Sequence, residues 1–100
     1  PPHYIRLAIR YQGNPSPAAL QRATEAYIAK LETFDRLEAS DIIALLSRKG
    51  VTSVTTPFTL IALTMDDRRQ WRLQRSEDGI NLGRLAAFVP DDGKISFTRG

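Results

Sequence analysis

The chain of 100 residues has no cysteine and a single histidine, His3. The first absence excludes a disulfide framework and thiolate-built zinc or iron–sulfur sites, and it suits a reducing compartment. The second leaves neither a histidine metal cluster nor a Ser-His-Asp arrangement, and we read His3 as incidental. Long apolar runs are also missing. The longest, Ile42–Leu46 and Leu85–Val89, are far shorter than the ~20 residues that span a bilayer. With 42% hydrophobic and 25% charged residues, the composition is that of a folded domain rather than of disorder. A chain of this length buries one core, so residues 1–100 are expected to form one domain. It opens Pro1-Pro2-His3-Tyr4 with no initiator methionine, and we expect the native chain to continue upstream.

Charge of one sign is not concentrated. The formal net charge is +3 and the pI about 9.7. Arg68, Arg69, Arg72 and Arg75 form a basic cluster, but Asp66, Asp67, Glu77 and Asp78 flank it and leave residues 66–78 neutral. A solvated hairpin face is expected there, without specific nucleic-acid binding.

What is present is pattern. Ile5, Leu7, Ile9 and Tyr11 alternate with polar or small residues, the period of a half-buried strand over residues 4–12. Gly13-Asn14-Pro15 ends it. Ser16 before Pro17 is an N-cap followed by proline at the first helical position. The spacing predicts a helix from Pro17 to about Phe34, with Leu20, Ala23, Tyr27, Leu31 and Phe34 on one stripe and Ile28 widening it. Residues 35–39 read as a connector. Ser40 is expected to cap a second helix carrying Ile42, Ile43, Leu45 and Leu46, which ends at Arg48-Lys49 with Gly50 as left-handed cap.

Beyond Gly50 the period becomes two. Val51–Thr56 is β-branched, and Pro57 implies an edge or bend. Phe58–Met65 reads as a strand, Asp66–Arg69 as a hairpin tip, and Trp71–Arg75 as the returning strand with Trp71 and Leu73 on one face. Asp78-Gly79 marks a turn. Pro90-Asp91-Asp92-Gly93, between Leu85–Val89 and Ile95–Thr98, predicts a further hairpin. The fold class is therefore α+β: two helices packed on one face of a mostly antiparallel sheet, β-α-α-β followed by β-hairpin units. Residues 1–57 would form the βααβ core and residues 58–100 a C-terminal β-hairpin extension.

Catalytic sets do not assemble from this chain. Asp66/Asp67 and Asp91/Asp92 are neighbours in turns, whereas acid–base chemistry needs carboxylates held in environments that split their pKa values. Gly79–Arg84 lacks the spacing and context of a phosphate loop. Tyr4, Tyr11 and Trp71 could stack bases on a sheet face, but Tyr11 shares the parity of Ile5, Leu7 and Ile9 and points to the core. We expect no enzyme, no metal or organic cofactor and no small-molecule substrate.

One strand is unusual. Phe58, Leu60 and Ala62 occupy one parity, and Ile61, Leu63 and Met65 the other, so both faces are apolar. Either another part of this chain covers the second face or a partner does. The candidate interface comprises Phe58, Leu60, Ile61, Leu63 and Met65, with Trp71 from the returning strand.

The stretch from Tyr4 to Pro57 resembles the C-terminal domain of baseplate J-like proteins, the wedge proteins of contractile phage tails and related injection machines. The resemblance lies in Ile5–Tyr11, Asn14-Pro15-Ser16-Pro17, Ala18–Leu31, Leu37–Ile42 and Arg48–Val54 with Pro57. It implies a structural, non-catalytic assembly module that docks to other baseplate subunits, including copies of itself. It also implies a place in the bacterial cytoplasm during assembly and then in the virion tail or a tail-like particle. The alternative is a small ferredoxin-like α+β module that binds a small molecule or nucleic acid.

Overall fold

The strand β1 (His3–Gly13) is the axis of the molecule, and three of the other four strands of the main sheet pair directly with it. In this computed structural model, which describes residues 2–32, 34–83 and 86–100, Ile5, Leu7, Ile9 and Tyr11 are buried while Ala8, Arg10 and Gln12 are exposed. The period-two reading holds from end to end.

Helix α1 (Pro17–Ala29) starts as predicted, with Ser16 accepting a hydrogen bond from the Ala19 N–H and proline in the first turn. Its buried stripe is Leu20, Thr24 and Ile28, with Tyr27 and Leu31 at the margin. That stripe is rotated from the expected one, and the helix stops at Ala29 instead of running to Phe34. The expected helical stretch includes Thr33, which lies outside the described residues. Phe34 is exposed, at φ 74°. The cause is tertiary. The Lys30 and Leu31 N–H groups bond the carbonyls three residues back, and the Asp35 carbonyl accepts from the Leu82 N–H. The chain is thus drawn off the helix.

It is drawn into a strand. The expected connector contains β2 (Arg36–Glu38), which pairs antiparallel with β6 (Gly79–Asn81). Leu37 and Ile80 face each other in this ladder, and both are fully buried. Three-residue strands carry no periodicity of their own, so local pattern does not reveal them. Helix α2 (Ala39–Arg48) follows without a break. Ser40 therefore does not cap it. It sits inside the first turn, its hydroxyl bonding the Glu38 carboxylate, and Glu38 is the cap residue without a side-chain cap bond. The helix start is held by the Ala39 N–H on the Asp78 carbonyl at 2.8 Å. Gly50 takes φ 102° after the helix, as expected.

Two strands share one edge of β1. β3 (Val51–Val54) pairs antiparallel with its end, and β4 (Leu60–Met65) with its beginning. Continued unbroken, the Tyr11–Val54 register would bring Leu60 opposite Ile5. Ala62 is there instead, two residues on. An even insertion preserves parity, so Leu60 and Ala62 still face the core. The bend falls around Pro57, as the sequence predicts. β5 (Trp71–Ser76) returns antiparallel beside β4.

The other edge of β1 is taken by β7 (Phe88–Arg99), which runs parallel to it. The hairpin expected at Pro90–Gly93 is absent. Phe88–Pro90 pairs with His3–Ile5 and Ile95–Arg99 with Leu7–Tyr11 in the same direction (Leu85, also expected in this strand, lies outside the described residues). Between Ile5 and Leu7, β1 advances two residues while β7 advances from Pro90 to Ile95, so Asp91–Lys94 loop out as a bulge. Gly93 supplies a left-handed residue there, at φ 72°. Turn residues suit a bulge as well as a reversal, and an eleven-residue β1 has edge enough for both halves of β7.

Both helices and the β2–β6 pair cover one face of this sheet, giving an α+β fold with mostly antiparallel pairing. The opposite face, with Tyr4, Arg6, Ala8 and Arg10 of β1, is open. The order of elements departs from the β-α-β-β-α-β of ferredoxin-like folds.

Candidate interaction surface

The β4–β5 hairpin forms an arm. Among the described residues, β4 pairs from Thr64 onward with β5 alone, and the molecule measures 44 × 21 × 21 Å. Asp66 organises its tip without glycine. Its carboxylate accepts from the Arg68 and Gln70 N–H groups and from Arg72 Nε at 2.9 Å, and Arg69 takes the left-handed conformation at φ 60°. The Gln70 N–H above all, then Arg72 and Arg68, hold the Asp66 carboxyl below its ordinary range. The basic cluster is thus partly neutralised within its own turn.

The structure divides the six expected interface residues by parity. Phe58 and Leu60 are buried in the core with Ala62. Ile61 and Leu63 are half-buried on the open face, and Met65 and Trp71 are exposed there at 37% and 55%. Among the described residues, none folds over them. Phe58 and Leu60 are therefore withdrawn from the candidate surface.

Two residues join it. Leu73, 52% exposed, stands directly opposite Leu63, and Tyr4 flanks Leu63 from the other side, giving a row Tyr4–Leu63–Leu73 across three strands. Met65 and Trp71 form the next row toward the tip. The Tyr4 and Trp71 rings meet edge to face with centroids 6.0 Å apart. Tyr4 was legible in the sequence, since it has the parity opposite to Ile5. Tyr11, by contrast, is buried and its hydroxyl donates to the Pro15 carbonyl at 2.6 Å.

Beside this patch lies a groove of about 530 Å³ lined by Tyr4, Arg6, Leu63, Trp71 and Asp91. Arg6 donates to the Asp91 carboxylate across it. A second groove of about 530 Å³ continues along the open face past Arg6, Arg10, Lys94 and the hydroxyls of Thr55, Thr59 and Ser96. Its lining includes no carboxylate.

His3 is held at the start of β1. Its N–H donates to the Ala87 carbonyl at 2.8 Å and its ring rests against Phe88, centroids 5.9 Å apart. Burial lowers its pKa. Among the described residues, no three His, Cys, Asp or Glu side chains come together as a metal set. Among the described residues, no helix is long and apolar enough to cross a membrane. No protein-family profile, no curated protein and no solved structure matches the chain.

Proposed function

We propose that this domain is a non-catalytic assembly module of the tail-baseplate wedge type, docking to neighbouring subunits through the open face of the β4–β5 arm. The observation that carries the reading is the exposed row of Trp71, Leu73 and Met65, continuous with Leu63 and Tyr4. Scattered surface hydrophobes need no explanation, but a contiguous aromatic and aliphatic patch on an extended arm is the form of a protein contact. The wedge assignment adds the resemblance over Tyr4–Pro57 to that surface.

The test uses the full-length protein. Leu73→Lys and Trp71→Ala should leave circular dichroism and melting unchanged and abolish assembly of tail-like particles, scored by electron microscopy and sedimentation. Leu60→Lys should unfold the domain, because Leu60 is fully buried. Particles forming at wild-type yield with Leu73→Lys would sink the reading.

One observation favours a second reading, a single-stranded nucleic acid on the open face. The Arg6, Arg10 and Lys94 groove adjoins the Tyr4 and Trp71 rings. Against it, Arg6 is already paired with Asp91. A mobility shift with oligo(dT) tighter than roughly micromolar, the limit of ordinary non-specific binding, would replace docking with this reading.

A further inference from the structure

β5 is an edge strand. Among the described residues it pairs with β4 alone. At the hairpin tip the Asp66 N–H donates to the Gln70 carbonyl, and this sets the phase of the antiparallel ladder. Arg72, Gln74 and Ser76 bond inward to β4. The N–H and C=O groups of Trp71, Leu73 and Arg75 point outward along the free edge. Sheet edges are ordinarily blunted by proline, bulges or charge. β5 has neither proline nor bulge in its ladder with β4. Its charges are Arg72, which is paired with Asp66 at 2.9 Å, and Arg75, and Trp71 and Leu73 are more than half exposed on it.

We propose that this edge pairs antiparallel with β5 of a second copy of the chain, about a dyad at Leu73. The inference rests on the docking reading and names the partner. A ladder forms only where outward-pointing residues meet outward-pointing residues, which leaves few registers. Dyads at Arg72 or Arg75 set an arginine directly against itself, and like charges directly opposite are destabilising. A dyad at Trp71 runs the pairing into the tip, where Arg69 is left-handed. A dyad at Gln74 sets Leu73 against Arg75 and leaves Trp71 facing Glu77.

The dyad at Leu73 has none of these faults. Leu73 meets Leu73 of the second copy, and Arg72 meets Gln74. Trp71 meets Arg75 twice, a guanidinium beside an indole. All of Trp71–Arg75 is paired with no like charges opposed. The row Tyr4–Leu63–Leu73 also joins its twin across the dyad, so the open face carries one continuous apolar band.

The chain has no cysteine, so introduced ones report without background. In the proposed register Arg72→Cys and Gln74→Cys face each other between copies, and neither faces itself. A mixture of the two variants, both exposed and expected to fold, should give on oxidation a disulfide-linked species of twice 11.2 kDa. Each variant alone should stay single. Wild-type chain should sediment as a dimer, and Leu73→Lys as a folded monomer. Gln74→Cys linking to itself would move the dyad and overturn the register. A mixture that does not cross-link, with a monomeric wild type, would overturn self-pairing. Loss of particle assembly in Leu73→Lys would in that case still support docking, to a different subunit.

Discussion

Arg6, near the start of β1, donates to Asp91 in the bulge of β7, 85 residues further along the chain. The pair stands where β7 leaves and rejoins β1, and it bridges the two grooves of the open face. Its side chains are 41% and 24% exposed, so the pair contributes at most about 1 kcal/mol, the usual scale for exposed ion pairs. The register of β7 is set by apolar burial on either side of the bulge, at Phe88, Ile95 and Phe97. Asp91→Ala should cost under about 1 kcal/mol in urea unfolding, and Ile95→Ala about 2–5 kcal/mol. Equal costs would mean that the ion pair holds the register.

Thr24 is fully buried on α1, and its hydroxyl has no hydrogen-bond partner among the described residues. An unpaired buried hydroxyl costs about 1–3 kcal/mol. Thr24→Val keeps the branched shape and removes the orphan oxygen, so it should raise stability by about 1 kcal/mol. A loss of stability would show that the hydroxyl is satisfied in solution.

Gly13 ends β1 at φ 145°, where a Cβ would lie 2.9 Å from the Gly50 carbonyl oxygen and 3.0 Å from the Val51 Cα. Both obstacles are backbone, so no side-chain rotation relieves them. Gly13→Ala should lower stability by about 1–3 kcal/mol. Gly83→Ala, at a residue with open space around its α-carbon, should be near neutral on the same thermal melt. Equal effects would refute the close packing of β1 on the α2–β3 turn.

His3 carries a pH dependence. Burial against the Phe88 end of β7 disfavours its charged form and lowers its pKa from the ordinary value of 6.5. The unfolded chain therefore binds the proton more readily. The stability His3 contributes is complete above pH 6.5 and is lost as pH falls through the interval below it. Melting temperature should drop on acidification across that interval, and His3→Leu should flatten the drop. A variant with the wild-type slope would remove His3 from the effect.

Local chemistry alone determined several elements. Period-two alternation placed β1. Ser16 and Pro17 placed the start of α1, and Gly50 the end of α2. The apolar parities of Phe58–Met65 marked the strand with a second face to account for. Each of these depends on residues within a few positions of one another, so no distant contact was needed to read them. The tertiary structure decided the rest. Proline, aspartate and glycine at 90–93 serve a hairpin or a bulge equally, and the free edge of β1 selected the bulge. Helix α1 stops at Ala29 because residues 35–38 are needed by β6, more than forty positions away. Leu60 and Leu63 look alike in sequence, yet one is core and the other surface. The register of β4 on β1 separates them, because one face of that sheet lies under the helices and the other faces solvent.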